Sequence, residues 1–148
     1  MADYTSWIGG TIGYIAATFD STADASAYGA KTYTELGSVK TAGAMGDTSN
    51  AINVSILKTG RVLKVNGEKD GGEISISVAF DASDSTYTAI RDTYANTNTN
   101  LWFEVTDPDA DLVYFQGIVA NFQENERNGT TEKGGTFVIR VNSAYVYV

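Results

Sequence analysis

The sequence predicts a mostly β domain, a β-sandwich or partly closed barrel with one helix on its flank. Three observations predict it. Several segments alternate apolar and polar residues with the two-residue period of a half-buried strand. Clusters of Gly, Asp and Asn recur between them as turns. Only one segment, residues 85–95, carries the apolar spacing of an amphipathic helix. At 148 residues the chain is expected to be a single domain, 1–148, large enough to bury a core.

Taken in order, residues 1–10 form an N-terminal arm with Trp7 and the Gly9-Gly10 pair. Trp7 has two readings: it tucks onto its own core, or the arm reaches a neighbour. Residues 11–19 read as a first strand, 20–30 as a small, polar loop, and 31–39 as a second strand with Tyr33 and Glu35 opposite Thr34 and Leu36. Residues 40–50, KTAGAMGDTSN, have almost nothing to bury, so they form either a surface loop or a segment ordered by a partner. Ile52, Val54 and Ile56 alternate with Asn53 and Ser55 as a strand. The connection 58–69 carries Lys58, Arg61, Lys64 and Lys69, four of the ten cationic side chains.

The clearest strand follows Asp70-Gly71-Gly72. Ile74, Ile76, Val78 and Phe80 point to one face, and Ser75, Ser77 and Ala79 to the other. Ser83 or Asp84 is positioned to cap the helix that follows, and Tyr87, Ile90 and Tyr94 form its buried stripe. In LWFEVT, residues 101–106, aromatic side chains on both faces require apolar material on each side of the strand. Pro108 marks a turn into a long strand, 112–124, with a bulge expected at Gly117. Asn128-Gly129 reverses the chain, and residues 136–148 form the last strand.

Composition excludes much chemistry. The chain has neither cysteine nor histidine, which removes disulfides, thiolate and imidazole metal sites, and Ser-His-Asp or Cys-His catalysis. A net charge of -8 disfavours static binding to nucleic acid. Asp3 stands where a signal peptide needs positive charge, and no segment is apolar over the roughly 20 residues that span a bilayer. No export by the usual route and no membrane insertion are therefore expected. Asp107, Asp109 and Asp111 open like a calcium loop, but Leu112 stands where the loop needs Gly and Ile118 where it needs Glu, so an acidic turn is the better account. The remaining carboxylates read as a helix N-terminal group (Asp81, Asp84, Asp92) and a solvated hairpin (Glu124, Glu126, Glu132), with no catalytic constellation. Neither enzyme activity nor a cofactor is expected. A monomeric binding module that uses an exposed Trp102 as a stacking platform is the alternative from another class.

The order of these features resembles the major tail tube protein of long non-contractile-tailed bacteriophages, the lambda-like tail tube family. The resemblance rests on Tyr33 to Val39 (YTELGSV), Ala51 to Ser55 (AINVS), Leu63 to Phe80 (LKVNGEKDGGEISISVAF) and Phe115 to Val119 (FQGIV), and it spans about residues 31–141. It implies a tail-tube fold with a long inter-subunit loop. The subunits would form hexameric rings, stacked into a tube and bounded by a terminator, a baseplate or tail tip and a tape measure protein. DNA passes through such a tube without sequence-specific binding. The setting implied is a virion tail assembled in host cytoplasm, and the same fold serves contractile tails, tailocins and type VI secretion. On this reading segments 40–50 and 58–69 are assembly loops. Trp7, Lys58, Arg61, Lys64 and Lys69 are contact candidates, together with Asp107, Asp109 and Asp111. Ser75 and Ser77 are candidates for the lumen, whose wall must repel or ignore phosphate.

Overall fold

The computed structural model describes residues 6–79 and 84–148. Its strands are β1 (Thr11–Ala16), β2 (Thr34–Leu36), β3 (Val39–Ala42), β4 (Thr48–Ile56), β5 (Arg61–Asp70), β6 (Glu73–Ala79), β7 (Leu101–Thr106), β8 (Leu112–Glu124), β9 (Gly134–Val141) and β10 (Val146–Tyr147). Two short helices, α1 (Ala25–Gly29) and α2 (Ser85–Ala89), complete the set, the second continuing as a π-helical turn over Ile90–Tyr94. Among the described residues no helix is long and apolar enough to cross a membrane.

The main sheet is antiparallel and runs β2-β1-β7-β8-β9-β6-β3, with β10 also paired to β8. Its two end strands are consecutive in the chain, separated only by Gly37 and Ser38. The chain therefore bends from one end of the sheet to the other and draws the sheet into a partly closed barrel. At this corner the Ser38 amide donates to the Tyr87 hydroxyl at 2.7 Å, and the Ala79 amide donates to the Ser38 carbonyl at 3.0 Å. Helix α2 thus sits at the seam. Asp84 caps it, its Oδ1 accepting from the Thr86 amide at 3.1 Å. Ser83, the other cap candidate, and Phe80 lie outside the described residues.

The core follows the alternation. Ile74, Ile76 and Val78 are buried with Phe103, Phe115 and Phe137, while Ser75 and Ser77 stand on the opposite face of β6. Tyr87 and Ile90 are fully buried and Tyr94 packs partly against the same core. Strand β7 is covered on both faces: Leu101, Phe103 and Val105 face the barrel interior, and Trp102 lies in a second cluster with Tyr28 and Tyr114 beneath α1. The Asp-Gly-Gly turn is in place. Gly72 has φ of 73°, a left-handed conformation that glycine adopts without a Cβ clash, and its amide is held by the Asp70 carboxylate at 2.8 Å.

Several elements differ from the sequence reading. The polar loop 20–30 contains α1, capped by Asp24 and anchored by buried Tyr28. The first strand ends at Ala16, and the second divides into β2 and β3. The excursion 40–50 is not a free loop, because its start belongs to β3 and its end to β4; the basic connection is strand β5. The bulge in β8 lies between Ala120 and Gln123, where Asn121 has φ of 57°, and not at Gly117. Gly117 serves a close approach instead, since a Cβ there would stand 2.4 Å from the Arg140 carbonyl oxygen. The last strand breaks into β9 and β10, both on the same side of β8.

Candidate assembly surfaces

Strands β4 and β5 pair only with each other in a two-stranded ribbon outside the main sheet. Their register sets Ile52 against Val65 and Val54 against Leu63 on one side, and Asn53 against Lys64 on the other. The ribbon is therefore amphipathic, yet its apolar side is open. Ile52, Val54, Leu63 and Val65 are between 40% and 55% exposed, and Leu57 at the tip is 97% exposed. Contiguous apolar surface of this kind is what interaction sites present. Ribbons of two strands are marginal alone in water, so this one is expected to gain from a covering surface.

Charge is divided between ribbon and body. Lys58, Arg61, Lys64 and Lys69 lie on the ribbon, are exposed, and form no ion pair among the described residues. In the body most cations are engaged, Lys40 with Glu132, Arg91 with Asp92 and Glu124, and Arg127 with Glu124, while Lys133 forms no ion pair among the described residues. Hydrogen bonds and charge from Arg127 and Arg91 hold the Glu124 carboxyl below its usual range, and Lys40 does the same for Glu132. Lys31 sits over the Trp102 ring at 4.9 Å. Arg140 pairs within the chain with Glu73, its cross-strand neighbour, at 3.1 Å.

Asp107, Asp109 and Asp111 occupy the turn between β7 and β8, closed by the Asp107 amide donating to the Asp111 carbonyl at 2.9 Å. Two contact candidates meet here. The Trp7 indole N–H donates to Asp107 Oδ1 at 3.0 Å, and the half-buried ring packs on the edge of the barrel core beside Ala42, Met45 and Val113. Trp7 therefore tucks onto its own chain. A cleft of about 250 Å³ remains between it and these residues, and a second adjoins it at Pro108 and Asp109. Ser75 and Ser77 lie on the outer face of the sheet in register with Val138 and Thr136 of β9, and Thr41 of β3 extends the polar row. Trp102, only 4% exposed, has no free face for stacking a ligand.

Gln116 is a structural residue that the sequence reading missed. It is the one fully buried polar side chain among the described residues. Its Nε2 donates to the Asp20 carbonyl at 2.7 Å and to the Tyr28 hydroxyl at 3.0 Å, while Oε1 accepts from the Asp20 amide at 3.0 Å. Loop 17–24 and α1 are thereby fastened to β8. No group of His, Cys, Asp or Glu side chains suited to a metal ion occurs among the described residues.

Comparison of the sequence with family models and with curated proteins finds no match. Comparison of the fold does. A chain from the tail of an empty GTA particle, refined with C6 symmetry, superposes with a TM-score of 0.65 at 13% identity, covering 98% of this chain and 99% of that one. A chain of the six-fold symmetrised anti-feeding prophage baseplate gives 0.66 at 7% identity, covering 100% and 97%. A chain from the sheath/tube terminator structure of an extracellular contractile injection system gives 0.66 at 7% identity, covering 100% and 99%. At such identities the likeness establishes the fold: end to end, this chain has the architecture of chains that build a tail, a prophage baseplate and a contractile injection system.

Proposed function

We propose that this chain is a structural subunit of a phage-like tail tube, polymerising as stacked six-membered rings around a conduit. The observation that carries the reading is the β4–β5 ribbon. An amphipathic hairpin whose apolar side has no cover in the monomer makes sense in a molecule that completes its packing on another copy. The whole-chain likeness to components of six-fold particles supports a six-membered ring. The role is architectural and not catalytic. The outer face carries Ser75, Ser77, Thr41 and Thr136 beside Val138, with the Arg140 cation neutralised by Glu73, and such small hydroxyl groups support a wall that hydrates readily and does not hold phosphate. Partners of the tube would be a terminator, a baseplate or tail tip, and a tape measure protein.

Two settings fit: a tube within a contractile sheath, and the bare tube of a long non-contractile tail. The likeness to the contractile injection system favours the first. A second reading, a single ring at a baseplate or terminator, draws support from the baseplate neighbour and from the terminator setting of the injection-system chain. Size-exclusion chromatography with light scattering across a concentration series tests the proposal. Growth from monomer to open-ended polymers is expected. A discrete six-membered ring that never lengthens would favour the single-ring role, and a monomer at all concentrations, even with baseplate components added, would refute the tube.

A further inference from the structure

We propose that the tip of the β4–β5 hairpin seats in the cleft beside Trp7 on a second copy of this chain, with Leu57 as the knob and Lys58 and Arg61 against the rim carboxylates. The inference rests on the tube reading and names the receiving surface within it. The cleft is lined by apolar side chains, Trp7, Ala42, Met45 and Val113 among them, with Asp107 in its wall. Asp109 borders the adjoining cleft, and Asp111 belongs to the same turn. An enclosed apolar volume of about 150 Å³ admits benzene, so about 250 Å³ accommodates a leucine side chain.

The two surfaces match in order as well as kind. Leu57, 97% exposed, is followed at once by Lys58 and then Arg61, so an apolar knob is flanked by cations. The cleft presents an apolar floor with Asp107 in its wall and Asp109 at the adjoining cleft. Desolvating Leu57 supplies affinity, and the charges set register and exclude wrong partners.

The seat cannot be on the same molecule. Nine residues of β4 separate the tip from the base, and at about 3.4 Å per residue the ribbon reaches roughly 30 Å, whereas Ala42 and Met45 of the cleft stand at that base. Tip and cleft are different patches, so in a ring or stack the contact is made head-to-tail and not reciprocally about a two-fold axis. Head-to-tail contacts propagate into rings or open stacks, whereas a reciprocal exchange of tips would end at a dimer and would contradict the tube reading.

The absence of cysteine gives a clean background for the test. One preparation carries Leu57→Cys, another Met45→Cys, and the two are mixed, assembled and oxidised. A disulfide-linked dimer is expected from the mixture and from neither variant alone. A control pair, Leu57→Cys with Thr136→Cys, is expected to give none. Tubes that form from the mixture without the cross-link would overturn the seating and leave the tube reading standing. A wild-type protein that never polymerises would overturn the tube reading and this proposal with it.

Should the cysteines block assembly, charge reversal decides. Arg61→Glu and Asp109→Arg are each expected to raise the concentration needed for polymerisation by about tenfold, and the two together in one chain to bring it back, as coupled charges across an interface do. Two defects that simply add in the double variant would overturn the proposal.

Discussion

At the scale of single residues, buried polar contacts hold the parts of the chain that apolar packing does not. Gln116 fastens loop 17–24 to β8, and its removal would leave the Asp20 amide and the Tyr28 hydroxyl without this partner and the Asp20 carbonyl with the Ala23 amide at 3.4 Å. Gln116→Ala is expected to cost roughly 2–3 kcal/mol, read as a lower midpoint in urea; an unchanged midpoint would show that water replaces the side chain. The tyrosines give a second expectation. Burial raises the hydroxyl pKa of Tyr14, Tyr33, Tyr114 and Tyr145 above 10.0, and that of Tyr87 to about 12. The folded state therefore holds protons that the unfolded chain releases, so stability is intact below pH 10.0 and falls as the pH rises toward 12. Thermal melts and phenolate absorbance over this interval check it. Full ionisation at the ordinary pKa without unfolding would contradict it.

At the scale of elements, burial decides what was legible. Strand β6 could be read because one face is buried and the other is not, as the order Ile74, Ser75, Ile76, Ser77, Val78 records. Strand β7 could be read as covered on both faces because Trp102 and Phe103 are adjacent, and the structure supplies a cluster for each. Strand β5 could not. Val62 and Leu63 are neighbours on opposite faces of an exposed ribbon, and with no burial to select against lysine the period of two is blurred. Helix α1 escaped because five residues are too few to show a period; the Asp24 cap and Tyr28 establish it. The candidate contacts were legible as charge, in the ribbon cations and the acidic turn, but the joining of Trp7 to Asp107 over 100 residues of sequence was not. The ribbon's independence yields its own expectation. Replacing residues 48–70 by a short glycine-containing turn should leave the thermal midpoint of the monomer within a few degrees, because the core clusters contain no residue of that ribbon, and should abolish polymerisation. A variant that unfolds would show that the ribbon supports the barrel.

At the scale of the whole molecule, closure of the barrel and openness of the ribbon divide the work. The bend at Gly37 and Ser38 brings the two ends of the sheet together, which hides most strand edges from unwanted pairing. Much of the exposed apolar surface is gathered on one projecting element, the ribbon with Ile52, Val54, Leu57, Leu63 and Val65. Whole-chain likeness to parts of a tail, a baseplate and a contractile injection system is a likeness of fold and not of shared residues, since identities of 7–13% leave little sequence in common. The measurement that bears most directly on the account is cryo-electron microscopy of the assembled protein, viewed end-on and from the side. Stacked rings of six subunits around an open channel, with the β4–β5 ribbon of each subunit buried against another copy, are the expected result. Particles in which that ribbon stays uncovered, or in which no ring forms, would contradict it.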